Sequence, residues 1–329
     1  MEWTGKRVLV TGAGGFIGSH LCEALVTRGA AVTAMIRYSG RSDHGNLDHL
    51  PEDRKTALTV VSGNVEDPHF VLRAAEGQDV IFHLAALITI PYSYLAPTSY
   101  VRTNVEGTVN VLEAARFHRT PRVVHTSTSE TYGTALYAPI DEKHPMQAQS
   151  PYSASKMGGD KVAESYAKAF GVPVATLRPF NTYGPRQSAR AVIATVISQA
   201  LTRSEVHLGD LRPVRDLSFV DDTVRAFLAI ASCDAAIGET VNAGFGKGIA
   251  IGDLARRILR LMGKDLPLVQ DADRVRPPAS EVFELVCDNR KAAALLGWTP
   301  TTSLDAGLTQ TIEFVTRHPA LFRPQVYSR

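Results

Sequence analysis

Tyr152 and Lys156 stand four residues apart in "PYSASK" (Pro151 to Lys156), so a helix there presents both side chains on one face. A free tyrosine has a pKa of about 10, too high for a base at neutral pH. A neighbouring ammonium, and the positive ring of an oxidised nicotinamide, favour the phenolate. Such a phenolate can take the proton of a substrate hydroxyl while hydride leaves the carbon that bears it. Upstream, "TSTSETYG" (Thr126 to Gly133) ends an apolar run and offers Thr128 as a hydrogen-bond partner for the same oxygen. Beside it stand Ser129 and Glu130, and a plain redox reaction has no use for that carboxylate. The Tyr-x-x-x-Lys spacing also occurs on ordinary surface helices, and Glu130 also reads as a solvated loop residue, so context must decide.

The context is a nucleotide site. "TGAGGFIG" puts Gly12, Gly15 and Gly18, with Phe16 and Ile17 among them, between an apolar β run and a helix. Glycines there let backbone approach a pyrophosphate, whose charge a helix N-terminus attracts. The acidic residue that usually ends the second strand to hold a ribose hydroxyl is absent; "AMIRYSGR" supplies Arg37 and Arg41 instead. Arg37 reads either as a partner for a 2′-phosphate, a lean toward NADP over NAD, or as a solvated loop arginine.

These residues need a scaffold, and the first half of the chain provides one. "RVLVTG", "AVTAMIR", "LTVVSGNV", "DVIFHLAA", "RVVHTSTS" and "VPVATLRPFN" read as strands. Between them fall helical stretches, the longest being Tyr100 to His118 and Pro151 to Phe170. Buried strands alternating with helices predict an α/β fold: a doubly wound parallel sheet of the Rossmann kind. Past Asn181 the pattern loosens into a smaller C-terminal α/β substrate domain. Its helices include "IGDLARRILRLMG" and "SLDAGLTQTIEFVTRH", the latter capped by Ser303. The expected division is 1–180 for the dinucleotide and 181–329 for the substrate, with a segment near 215–245 returning to the first.

Composition narrows the class. Of 329 residues 44% are apolar and 21% charged, an ordinary soluble balance, and a net charge of +2 argues against a nucleic-acid or membrane surface. Three dispersed cysteines suit a reducing cytoplasm better than a disulfide framework. No apolar run approaches a membrane span, the N-terminus runs straight into a strand, and the scattered histidines predict no catalytic metal.

Taken together, these motifs resemble the extended short-chain dehydrogenase/reductases, in particular the NAD-dependent nucleotide-sugar epimerase/dehydratase family. The resemblance runs over nearly the whole chain, through "HLAA", "TNVEGT", "RPFNTYGPR", "RDLSFVDD", "RPPASEV" and "LLGWTP". Within the family "ALITIPYS", "TSTSETYGTA" and "GPRQSARAVI" look most like the nucleotide-sugar 4,6-dehydratases of the legionaminic-acid type.

The resemblance implies a tightly held NAD or NADP, regenerated each turnover. Asn64, Val65, Leu84, Ala85, Ala86 and Asn104 would join the glycine loop, Tyr152 and Lys156 around it. It implies a nucleoside-diphosphate sugar bound by Ser93, Asn181, Arg190, Arg215 and Arg276. It further implies a homodimer built as a four-helix bundle from the helices Tyr100 to His118 and Pro151 to Phe170. Glu130 then has a task. Once C4 of the sugar is a ketone, the C5 proton is acidic; a carboxylate removes it, the C6 hydroxyl leaves as water, and hydride returns to C6. The dTDP-glucose branch of the family carries Asp-Glu where this chain has Ser129-Glu130, whereas GDP-mannose dehydratases carry Ser-Glu. Decarboxylation of a UDP-glucuronate, helped by Arg186, Arg274 or Arg276, and C4 epimerisation use the same scaffold. A non-catalytic dinucleotide sensor is the remote alternative, and the presence of Tyr152 and Lys156 speaks against it.

Overall fold

The computed structural model describes residues 1–40, 42–271 and 281–322. Six strands of the first half form a parallel sheet: β1 (Arg7–Thr11), β2 (Ala31–Ile36), β3 (Leu58–Ser62), β4 (Val80–His83), β5 (Val123–Thr126) and β6 (Val174–Pro179). Three strands follow, the short β7 (Asn181–Tyr183) and β8 (Val206–Leu208) and the longer β9 (Val214–Phe219), before the chain returns with β10 (Thr240–Ala243). That strand pairs in parallel with β6, so the sheet has seven strands in the order β10-β6-β5-β4-β1-β2-β3. The expected doubly wound architecture is the one observed.

Alternation along β1 shows why both faces must be covered. Val8 and Val10 point into one core with Phe82, Leu177, Leu21, Leu25 and Phe227, whereas Leu9 points into the other with Ile81, Val111, Leu112 and Ala163. The first core is closed by the helices Phe16–Thr27 and Val220–Ala231; Gly107–His118 and Pro151–Phe170 close the second. Phe82 sits between the rings of Trp3 and Phe227, at 6.0 and 6.3 Å, and truncating so buried an aromatic costs about 3–5 kcal/mol.

The helix Pro151–Phe170 has the expected limits because its ends are specified locally. Ser150 caps it in a reciprocal capping box with Ser153, Pro151 takes the first turn, and Gly171 stops it at φ 66°. Ser303 likewise caps Leu304–Arg317, accepting from the Ala306 N–H. The helix expected from Tyr100 is less regular: Pro97–Val101 and Gly107–His118 are joined through a π-helical turn at Arg102–Glu106. The second half adds β11 (Gly248–Ala250), β12 (Leu268–Gln270) and β13 (Glu284–Leu285) in two small sheets, one on β9 and one on β8. Among the described residues no helix is long and apolar enough to cross a membrane.

Candidate active site

A cleft of about 1040 Å³ runs over the carboxyl ends of β1, β2, β4, β5 and β6. That exceeds the common range for a single small-molecule site, and it leaves room for a dinucleotide and a second ligand end to end.

Its nucleotide end is a backbone surface. Gly12, Gly14, Gly15, Phe16, Ile17 and Gly18 line it, and Gly15 opens the helix Phe16–Thr27 with no side-chain cap on its amides. Gly12 holds φ 72°, and a Cβ there would lie 2.7 Å from the Ala85 amide nitrogen. One on Gly18 would lie 2.3 Å from the Gly12 carbonyl oxygen. Only glycine permits this approach of loop to strand, and the free helix amides that result are a fit for a pyrophosphate. Arg37, Asn64, Val65, Leu84, Ala85 and Ala86 complete this part of the wall.

Asn104 does not reach it. Buried in the π-turn, its amide accepts from the Leu87 N–H at 2.8 Å and donates to the Leu87 carbonyl and to Ser155 Oγ, both at 2.9 Å. It braces the wall from behind and does not touch what the wall holds. The His83 ring does the same for β1: it bonds Thr11 Oγ1 at 2.8 Å and Thr108 Oγ1 at 3.1 Å, and Thr11 accepts from the Ala85 N–H.

At the reacting end Thr128, Ser129, Glu130, Tyr152 and Lys156 share the cleft wall. The strand β5 delivers the first three: after Thr126 the chain turns through a short 3₁₀ helix, Ser129–Tyr132, with Thr128 capping it by accepting from the Glu130 N–H at 3.3 Å. Tyr152 comes from the first turn of the helix Pro151–Phe170 and hydrogen-bonds Thr128. Loss of solvent around the Tyr152 hydroxyl pushes it above the ordinary tyrosine range; the Thr128 bond opposes this, and the nearby Glu130 carboxylate adds to it. Burial pulls the Lys156 ammonium down to about 8 although the Asp160 carboxylate pulls the other way, and its Nζ donates to the Thr126 carbonyl at 2.6 Å. Burial and the Glu130 carboxylate thus hold the Tyr152 hydroxyl up, the opposite of the easing toward phenolate expected from Lys156.

The sugar-side candidates divide. Asn181 lines the cleft with its Nδ2 buried and, among the described residues, without a hydrogen-bond partner, a donor suited to a ligand oxygen. Arg190 is exposed at the rim. Arg215 lines the cleft but is paired with Glu281 at 3.2 Å. Ser93 is turned away: wholly buried, it donates to the Ile90 carbonyl at 2.6 Å, one turn back in its own helix. Arg186 also faces elsewhere, toward His20 and Glu23 on the helix Phe16–Thr27. Arg274 and Arg276 lie outside the described residues.

Two groups of residues at or behind the cleft escape sequence reading. Gln187 lines the cleft with its Oε1 buried and, among the described residues, without a hydrogen-bond partner. Thr89, also on the wall, holds φ 82°, which β-branched residues avoid. Tyr100 secures it by donating to the Ile88 and Thr89 carbonyls, and its ring stands edge-on to Tyr152 at 6.2 Å. Behind the reacting end lies a buried polar cluster of Asp160, Arg178, His125, Ser127, Tyr132 and Asn242. The regular spacing Tyr152, Lys156, Asp160 was a signal for its first member.

Comparison with known proteins agrees with this geometry. The family described as GDP-mannose 4,6 dehydratase matches residues 9–311. A UDP-glucose 4-epimerase of Mycolicibacterium smegmatis is 34% identical, over 94% of this chain and 98% of its own. A dTDP-glucose 4,6-dehydratase of Streptomyces antibioticus is 32% identical, over 97% and 95%. The crystal structure of DesIV, a dTDP-glucose 4,6-dehydratase from Streptomyces venezuelae with NAD and TYD bound, superposes with a TM-score of 0.87 at 29% identity, covering 97% of this chain and 100% of that one. The chain belongs to this family, and thus to the NAD-dependent nucleotide-sugar epimerases and dehydratases of the extended short-chain dehydrogenase/reductase class.

Proposed function

We propose that this member of the family is a nucleotide-sugar 4,6-dehydratase, converting a GDP-, UDP- or dTDP-linked hexose to the 4-keto-6-deoxy sugar and water. The observation that carries the reading is the place of Glu130: on the cleft wall, within electrostatic reach of the Tyr152 hydroxyl. A bound oxidised nicotinamide dinucleotide would supply the hydride acceptor and donor, and its positive ring would draw Tyr152 toward phenolate. Gly12, Gly15, Gly18, Asn64, Ala85 and Ala86 would hold it, and Arg37 at the end of β2 supports NADP as well as NAD.

Tyr152 takes the C4 hydroxyl proton while Thr128 holds the oxygen, and C4 becomes a ketone. The C5 proton, now acidic, passes to Glu130. The C6 hydroxyl leaves with that proton as water, Ser129 being unable to supply one unaided. Hydride taken from C4 returns to C6, and a proton equivalent to the one on Tyr152 closes the balance at C5.

Epimerisation at C4 is the second reading, favoured by the 34% identity to a 4-epimerase. Of the three arginines that could hold a C6 carboxylate for decarboxylation, Arg186 faces away from the cleft, and Arg274 and Arg276 lie outside the described residues. A homodimer is supported by the exposure of Val101, Phe117 and Phe170 along the two helices assigned to it.

Mass spectrometry of a GDP-, UDP- and dTDP-hexose panel separates the readings: loss of water marks the dehydratase, loss of carbon dioxide the decarboxylase, and unchanged mass with inverted C4 by NMR the epimerase. Glu130→Gln should keep C4 oxidation and slow water loss by about 10²–10⁴-fold. Full turnover in that variant would remove Glu130 from the chemistry.

A further inference from the structure

The ion pair of Asp160 and Arg178 takes no step in the chemistry above, yet it touches both flanks of the segment that carries Thr128 and Glu130. His125 and Ser127, two apart at the end of β5, point to the same side, and both reach Asp160. His125 Nε2 lies 3.1 Å from Asp160 Oδ1, and Ser127 Oγ donates to Oδ2 at 2.6 Å. Between them the Thr126 carbonyl receives Lys156 Nζ. Arg178, on β6, meets Asp160 at 2.7 Å and donates through Nε to Ser127 Oγ at 3.1 Å. Through Nη1 it also donates to Tyr132 Oη at 2.6 Å, and its guanidinium lies 4.6 Å from the centre of the Tyr132 ring. Ser127 is the residue before Thr128; Tyr132 ends the 3₁₀ turn that holds Glu130. Asp160 itself sits one helical turn beyond Lys156 and two beyond Tyr152.

The two charges are almost wholly buried, with 5% and 6% of their side chains exposed. Stability is a weak reason for such a pair, because apolar residues of equal volume often serve a core as well or better. Orientation is a stronger one. A planar guanidinium delivers several bonds in fixed directions, and here they run to a carboxylate on one element and to hydroxyls on either side of the catalytic turn.

We infer that Asp160 and Arg178 are positioning residues, a clamp that registers the turn carrying Thr128 and Glu130 against the helix carrying Tyr152 and Lys156. The inference rests on the dehydratase reading. The pair sets where Thr128 and the Glu130 carboxylate stand relative to a sugar whose C4 oxygen is held by Tyr152, so it governs both C4 oxidation and the elimination more than ligand binding.

Ser127→Ala and Tyr132→Phe each delete one hydroxyl and leave the buried charges paired. The full-length enzyme loaded with cofactor is given dTDP-glucose, UDP-glucose or GDP-mannose, whichever the wild type converts. C4 oxidation is followed by the near-ultraviolet absorbance of reduced nicotinamide, and water loss by mass spectrometry of quenched samples. For the double variant, water loss should slow between about 10- and 100-fold, the cost of an ångström-scale misplacement. KM should stay within about twofold and C4 oxidation should slow as well, measured well below the thermal unfolding midpoint, which should fall because each deleted hydroxyl leaves a buried guanidinium N–H unpaired. Arg178→Lys, which keeps the charge and loses the fork, should give the same signature. Variants that oxidise C4 and lose water at the wild-type rate, or whose deficit lies in a raised KM alone, would overturn the clamp alone. A wild type that takes no water from any of the three sugars would overturn the dehydratase reading together with the clamp.

Discussion

At the nucleotide end of the cleft the contact surface is main chain, exposed because side chains are missing. At the reacting end it is side chain, five residues from two elements backed by a polar cluster drawn from β5, the 3₁₀ turn after it, β6, β10 and the helix Pro151–Phe170. Gly12 and Gly18 leave no room for a methyl group against Ala85 and against Gly12 itself. Tyr152, Lys156 and Glu130 instead depend on hydroxyls, carbonyls and charges contributed by β5, β6, β10 and the helix Pro151–Phe170. A binding surface of backbone needs no titratable group and tolerates little change of residue. A reaction surface of side chains is adjustable, and each member changes the protonation of the next.

The contrast can be broken most forcefully at Tyr152. Tyr152→Phe should lower turnover by about 10²–10⁴-fold and leave cofactor binding, read by calorimetry, near the wild-type value. A comparable loss of cofactor affinity would mean that the two ends are not separable. Gly18→Ala should do the reverse. Its Cβ meets the Gly12 carbonyl oxygen, the loop must shift, and cofactor affinity should fall about 10- to 100-fold, with turnover largely recovered at saturating cofactor. The gentlest probe is pH. Lys156 is pulled down to about 8 by burial, so its ammonium is lost as pH rises through that value. Turnover should then decline by roughly tenfold for each unit above it, a one-proton slope, while cofactor affinity changes much less. A flat turnover profile across that range would show that Lys156 does not need its charge.

The same contrast explains what could be read before the structure. Glycines at a strand-to-helix turn record their constraint in one short run, and so does a Tyr-x-x-x-Lys pair on one helix. The seven-strand sheet was legible for six strands because alternation and capping are local: Ser150, Pro151 and Gly171 bound their helix without help from elsewhere. Asn104 and Ser93 were misplaced for the opposite reason. Each has the chemistry of a ligand-binding residue, and only three dimensions reveal that Leu87, Ser155 and Ile90 consume it. Arg178 stood in plain view in "RPFN", yet its partners Asp160, Ser127 and Tyr132 lie 18, 51 and 46 residues away in sequence, and no periodicity links them.

The strand β10 gives the chain a topology that resists dissection. The chain leaves the sheet after Pro179, forms β7, β8 and β9, and then comes back to zip Thr240–Ala243 along β6, where Asn242 Oδ1 accepts a hydrogen bond from the Tyr132 hydroxyl. A fragment cut after Phe180 would expose the edge of β6 and strand Tyr132 without that acceptor. Any chimera that exchanges one half of this molecule for a cousin's must therefore transplant a discontinuous piece, carrying the returning strand β10 along with the amino-terminal body.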